Sequence, residues 1–224
     1  MLKLVIANKL YSSWSLRPWM VLRAAGIPFE EIQIPLRRDD SKARVLEHSP
    51  SGKVPALIDG DQVIWESLAI IEYLAESHPG TAIWPENRAA RAHARAVSSE
   101  MHSGFQALRA GCPMNLGARF KAPEMTDAMS ACVSRIEEIW ADTLARFGGE
   151  GPYLYGAFSA ADAMYAPVAS RLETYQIPVS AGSRTYMNAI FAHRAFQDWR
   201  TAALAEPWTI PDYDAGHTAV ETYR

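Results

Sequence analysis

The 224-residue chain has two cysteines, Cys112 and Cys132, and neither belongs to a Cys-x-x-Cys pair. That absence excludes a disulfide framework and a thiolate metal site. Its six histidines (His48, His78, His93, His102, His193 and His217) never fall three or four apart, so no helix face carries a pair of imidazole ligands. No Gly-x-Gly-x-x-Gly or Gly-x-x-x-x-Gly-Lys-Ser/Thr run is present to cradle a dinucleotide or nucleotide phosphate. A Gly-x-Ser-x-Gly elbow is missing as well, against a hydrolase of that type. Charge shows no excess of either sign: 22 Lys+Arg against 25 Asp+Glu give −3, without the basic footprint of a nucleic-acid binder. The opening run Met1–Asn8 is too short for a signal peptide, and no apolar stretch is long enough to span a bilayer. A cytoplasmic protein without membrane or nucleic-acid partners is the expectation.

What is present is a 49% apolar composition, too apolar for disorder and long enough for a large core. Leu2–Ala7 reads as a buried strand. Tyr11-Ser12-Ser13-Trp14-Ser15 leads into a helix from Leu16 to Ala25, stopped by Gly26, which reaches the left-handed region without a Cβ clash. With Ser15 as the N-cap, Pro18 falls in the first turn, where its missing N–H costs nothing. Phe29–Ile34 gives a second strand and Arg37–Glu47 a weak helix. Val54–Ile58 and Gln62–Trp65, around Asp59-Gly60, form a hairpin. Leu68–Ser77 is an amphipathic helix. Interleaved strands and helices predict a mixed four-stranded sheet over residues 1–80. His78-Pro79-Gly80 ends this part, 81–87 reads as a linker, and strand signals then nearly vanish. Helices are expected at Arg88–Leu108, Thr126–Phe147, Ala160–Tyr175, Tyr186–Ala192 and Ala195–Leu204, an all-helical domain over 88–208 followed by a tail, 209–224.

Three features could carry chemistry, and each also has a structural reading. The serine cluster caps a helix, yet the same junction aims N–H groups and a helix dipole at one spot, which stabilises an anion. Pro55 fits an edge strand; with a cis Val54-Pro55 bond the Val54 amide would turn outward to pair with an extended peptide, although trans is the commoner form. Glu66-Ser67 opens a helix, and together could receive an ammonium and a carboxylate. A fourth feature, Ser159-Ala160-Ala161-Asp162, matches a capping box and reads as structural. Cys112, between Gly111 and Pro113, reads as an incidental thiol.

In combination, Ser12-Ser13-x-Ser15-x-Arg17, Val54-Pro55, Glu66-Ser67 and the tract Ser67–Leu74 resemble the cytosolic glutathione transferases, from Leu2 to about Trp208, and most of all the serine-type zeta members of bacteria. The resemblance implies a thioredoxin-like domain before a helical-bundle domain, a homodimer, glutathione as cosubstrate and no metal. It implies that Ser12, with Ser13 and Ser15 as alternates, activates the thiol. Lys53, Val54, Glu66 and Ser67 would hold the tripeptide, with Arg37-Arg38 as further contributors. The electrophile pocket would lie near Tyr11, Trp14, Met101, Phe105, Arg109 and Trp208. A free thiol with pKa ~8.5 is mostly protonated at neutral pH. Lowering it by about two units requires ~2.7 kcal/mol of preference for the anion, which one charge-assisted hydrogen bond of roughly 1.5–3 kcal/mol can supply. Zeta members typically read Ser-Ser-Cys, where Trp14 stands here, and the arginine their isomerases use for a substrate carboxylate has only Arg171 near its place. Conjugation to a small apolar electrophile is therefore expected ahead of glutathione-dependent cis-trans isomerisation of maleylacetoacetate-like or maleylpyruvate-like acids. A non-catalytic binding module is the third reading.

Overall fold

The computed structural model describes residues 1–224. Strand β1 (Leu2–Ile6) is apolar at every position but Lys3, and this run occupies the interior of a four-stranded sheet of order β2-β1-β3-β4. An unbroken apolar run suits a strand covered on both faces. β1 runs parallel to β2 (Phe29–Gln33) and antiparallel to β3 (Ala56–Asp59). At one edge β2 carries exposed Glu30 and Glu31, charges that discourage pairing with a further strand. The Asp-Gly signal gives the hairpin to β4 (Gln62–Trp65): Asp59 pairs with Gln62, and Gly60 takes φ 56° in the two-residue loop.

Helix α1 (Ser13–Ala24) crosses from β1 and is buried along most of its length, packing on the helical part as well as the sheet. Gly26 follows its end at φ 66°, as expected. Its start differs from expectation. The N-cap is Ser12, whose Oγ accepts from Ser15 N, so the helix begins three residues early and Pro18 lies in its interior. Ser15 is unavailable as a cap because its own Oγ accepts the Ala7 N–H at 3.1 Å, tying the end of β1 to the helix. Helix α2 (Ser41–Leu46) occupies the weak polar stretch, and α3 (Ser67–Ser77) follows β4.

Beyond residue 80 the chain is mainly helical. The predicted helix over Arg88–Leu108 is two: α4 (Arg88–Ser103) ends at Gly104, Phe105 adopts a left-handed φ of 59°, and α5 (Gln106–Gly111) starts in a new direction. Helix α6 spans Asp127–Phe147, capped by Thr126. Helix α7 (Ala160–Thr174) is the axis of this part, with every residue buried except Glu173. At its start Asp162 accepts from the Ser159 N–H, the Ser159 hydroxyl, the Leu154 N–H and the Tyr186 hydroxyl. Helix α8 (Ala181–Ala192) begins five residues before the predicted start because Ser180 caps it, and α9 covers Arg194–Leu204.

The tail also differs from expectation. It holds a short helix α10 (Pro211–Asp214) and strand β6 (Ala219–Thr222), which pairs antiparallel with β5 (Ala118–Phe120). Strands of three and four residues, far apart in sequence, are too short to show an alternating pattern. No helix is long and apolar enough to cross a membrane.

Candidate active site

Where β1 hands over to α1, a cleft of about 510 Å³ opens between the sheet and the helical part. Residues Tyr11 to Trp14 form one side, Lys53 and Val54 a second, and Arg109, Arg171 and Tyr213 the helical wall. The loop before α1 is set from the far end of the chain. Buried Glu206 accepts from the backbone N–H of Lys9 and of Leu10, and the Trp199 indole donates to the Lys9 carbonyl at 2.9 Å.

The three serines occupy different environments. Ser12 is half-buried at the cleft, its hydroxyl donating to Ser15 Oγ at 2.8 Å. Ser13 also lines the cleft, and its Oγ accepts from the Arg171 guanidinium at 3.1 Å, leaving its own proton free to donate outward. Ser15 is fully buried and does not reach the cleft. In the first turn of α1 the Trp14 N–H meets no acceptor within the chain, leaving a free donor at the positive end of the helix.

Electrostatics decide what this cleft can hold. Lys53, Arg109 and Arg171 line it, and no aspartate or glutamate does. Arg171 is buried, and desolvation brings it down to about 10, which leaves it charged at neutral pH. Its other donors go to the carbonyls of Cys112 and Pro167, so its position is fixed. The Arg109 guanidinium lies 4.5 Å from the centre of the Trp14 ring and that of Arg17 4.1 Å from it. Trp14 therefore carries two cations on its π-system, an arrangement that offsets part of their mutual repulsion. Arg17 is fully buried and none of its guanidinium nitrogens has a hydrogen-bond partner. Burial first, then the positive Arg171 and Arg109, hold its pKa well below the ordinary guanidinium value, against the pull of Glu66. A sequence could signal such residues: Arg17 and Arg171 each stand at a buried position of a helix whose neighbours are mostly apolar.

The Val54-Pro55 bond is cis, and neither the N–H nor the carbonyl of Val54 bonds elsewhere in the chain. Glu66 and Ser67 stand outside the cleft lining, beyond Trp14. Glu66 takes φ 72°, a conformation disfavoured for a residue with a Cβ, and is itself the N-cap of α3. Ser67 is the first helical residue, fully buried, with its Oγ unpartnered. Glu66 lies 3.9 Å from His102, whose ring meets the Trp14 edge and whose pKa burial lowers, assisted by Arg17 and Arg109.

Three residues expected near the electrophile do not line the cleft. Met101 is fully buried in the core, Phe105 is spent on the turn between α4 and α5, and Trp208 lies past α9, its carbonyl accepting from Arg224. Tyr11, Trp14 and Arg109 do line it, joined by Arg171, Met114, Ile210 and Tyr213. Arg37 and Arg38 are not among its lining residues. Cys112 is buried with its thiol pushed up to about 11, and it does not face the cleft.

Residues 11–77 match the family model "Glutathione S-transferase, N-terminal domain". The maleylacetoacetate isomerase of Rattus norvegicus is 31% identical over 221 residues, covering 95% of this chain and 96% of the rat protein. Glutathione S-transferase Z2 of Arabidopsis thaliana is 31% identical over 163 residues, 68% of this chain and 73% of that protein. A probable maleylacetoacetate isomerase of Caenorhabditis elegans is 41% identical over 103 residues, 44% of this chain and 48% of the worm protein. Among solved structures, a Burkholderia glutathione transferase homologue with bound glutathione superposes with a TM-score of 0.69 at 22% identity, covering 92% of this chain and 99% of that one. A diazinon-metabolizing glutathione S-transferase of Bombyx mori gives 0.72 at 19% identity, covering 91% and 98%. At these identities the two structures speak for the fold, a thioredoxin-like sheet domain followed by helices.

Proposed function

Because the chain belongs to the glutathione S-transferase family, we propose that it binds glutathione in the cleft at the start of α1 and applies the thiolate to a small unsaturated acid. The observation that carries this reading is the pair of arginines, Arg109 and Arg171, left on the helical wall once Lys53 is given to a glutathione carboxylate, with no aspartate or glutamate of the chain beside them. An apolar acceptor gives such a set nothing to bind, whereas carboxylates pair with guanidinium forks. The kinship with proteins named maleylacetoacetate isomerase supports the same direction.

In this reading the Ser12 hydroxyl turns from Ser15 Oγ to donate its proton to the sulfur, and the free Trp14 N–H and the helix dipole favour the anion. Ser13, held by Arg171, is the alternate donor. Val54 pairs its amide with the middle of the tripeptide. The half-exposed Glu66 receives the γ-glutamyl ammonium and Lys53 a terminal carboxylate, while the buried Ser67 side chain stays within the start of α3. Arg171 and Arg109 fix the carboxylates of the acceptor. The thiolate adds to the conjugated double bond, the resulting single bond rotates, and expulsion of the thiolate restores the double bond in the other geometry. Glutathione is returned unchanged. The same reading assigns glutathione to residues 1–80 and acceptor contacts to 88–208, with 81–87 as the linker and 209–224 closing the helical wall. It places two copies in a homodimer in the cytoplasm.

The test is an assay of maleylacetoacetate beside an aryl halide, each with and without glutathione. Rapid glutathione-dependent isomerisation with no net loss of thiol, and slow aryl conjugation, is the expected result. The reverse ranking would move the function to conjugation, the reading favoured by the bulky Trp14 where zeta members carry cysteine.

A further inference from the structure

The tail of the chain brings one more functional group to the cleft at the start of α1. Tyr213, on α10, lines that cleft together with Tyr11, Arg109 and Arg171. Its position is tied on two sides. On one, its ring lies against that of Tyr11, the centres 5.3 Å apart, and Tyr11 directly precedes Ser12. On the other, its neighbour Asp214 accepts from Asn115 Nδ2 at 2.6 Å. Buried Asn115 is itself held, because its Oδ1 accepts the Gly117 N–H and its carbonyl accepts the Thr174 hydroxyl. Thr174 stands on α7 less than a turn past Arg171. Tyr213 is thereby fixed between the serine proposed to face sulfur and the arginine proposed to hold a carboxylate.

Packing accounts for the Tyr213 ring but not for its hydroxyl. Tyr165, Tyr175 and Tyr186 give their hydroxyl protons to the Val97 carbonyl, the Pro113 carbonyl and Asp162. The Tyr213 hydroxyl bonds to nothing in the chain, and its side chain is half-buried at the cleft where Tyr11 is buried. A phenol is a neutral donor that stays protonated through the neutral range. Beside two guanidinium groups it is the weaker partner for a carboxylate. It suits an oxygen that is uncharged in the substrate and gains charge as the reaction proceeds. Addition of a thiolate creates such an oxygen when the attacked double bond is conjugated to a ketone.

We propose that Tyr213 is a catalytic residue, its hydroxyl donating to the ketone oxygen of an unsaturated keto acid whose carboxylates lie on Arg109 and Arg171. It has this role only if the thiolate adds as proposed above. The sulfur electron pair forms the C–S bond, and the π pair of the double bond passes to the ketone oxygen as an enolate, which the Tyr213 O–H stabilises. Rotation about the bond that is now single follows. The enolate pair then returns, the double bond re-forms, and the C–S bond breaks with its electrons on sulfur. The phenol keeps its proton throughout.

Tyr213→Phe keeps the ring on Tyr11 and removes only the donor. With maleylacetoacetate, kcat should fall by roughly a hundredfold, the usual cost of a deleted oxyanion donor. KM, glutathione affinity and the thiolate titration of bound glutathione should hardly move, whereas a disturbed cleft would shift them too. The contact itself is read by infrared spectroscopy of bound 4,6-dioxoheptanoate, a saturated keto acid, carrying carbon-13 in the ketone nearer its carboxylate and measured with glutathione present. That carbonyl stretch should lie at lower frequency in the wild type than in Tyr213→Phe. An unchanged kcat, a raised KM with kcat intact, or the same stretch in both proteins would overturn the role of Tyr213 and leave the glutathione-dependent isomerisation standing. A wild-type protein that binds glutathione without isomerising maleylacetoacetate would overturn both, so the two failures are told apart.

Discussion

Arg171 is the residue whose position says most about substrate. Its guanidinium is anchored by two carbonyls and by Ser13, so it presents a fixed charge to the cleft. Arg171→Lys keeps the charge but loses the fork that suits a carboxylate. It should raise KM for an unsaturated diacid by roughly tenfold, with glutathione affinity changed much less. Steady-state kinetics beside a glutathione titration checks this, and equal losses in both would place Arg171 in the glutathione site instead. The cysteines give a second check. Burial holds the Cys112 thiol at about 11, with Arg171 only partly countering it, so below that pH it stays protonated and non-nucleophilic. Cys132 is partly exposed. A disulfide reagent at neutral pH should therefore titrate one thiol in the native protein and two after denaturation. Two fast thiols in the native state would contradict the burial of Cys112.

At the scale of elements, α7 holds the helical part together. Asp162 gathers four donors at its start, from Leu154, Ser159 and Tyr186. Asp162→Ala leaves those donors unpaired in the core, a loss on the order of 3 kcal/mol or more. Urea denaturation should show the midpoint falling with an unchanged slope; a change below about 0.5 kcal/mol, as for an ordinary surface site, would refute the role. This element was legible in the sequence because a capping box is a local signal. So were β1, the hairpin at Asp59-Gly60 and the stop at Gly26, each fixed by residues that touch one another along the chain. The start of α1 was not, since the choice between Ser12 and Ser15 as cap depends on the Ala7 N–H claiming Ser15 Oγ, a contact made only after folding. The break between α4 and α5 was hidden likewise: Gly104 is visible, but a left-handed Phe105 is imposed by packing.

For the molecule as a whole, the cleft is assembled from distant parts of the chain. Glu206 and Trp199 position the loop that presents Ser12, and the β5–β6 pairing ties the last residues to the middle of the sequence. The residues proposed to hold glutathione form a motif set in the sequence, since Ser12, Val54 and Glu66 open or precede regular elements. The acceptor side does not. Met101, Phe105 and Trp208 enter as apolar or aromatic residues that the resemblance implies for the space between the domains, whereas the residues that line the helical wall arrive through tertiary packing. The same packing turns an apolar-looking cleft into a cationic one, because Arg171 is carried to Ser13 across most of the sequence.

The central claim is that glutathione binds here as a thiolate opposite Ser12. A thiolate absorbance titration of bound glutathione, in the wild-type protein and in Ser12→Ala, addresses it most directly. The account predicts a bound thiol titrating about two units below the free value near 8.5 in the wild type, and a return most of the way to that value in Ser12→Ala with the tripeptide still bound. Identical titrations in the two proteins, or no bound glutathione in the wild type, would contradict it.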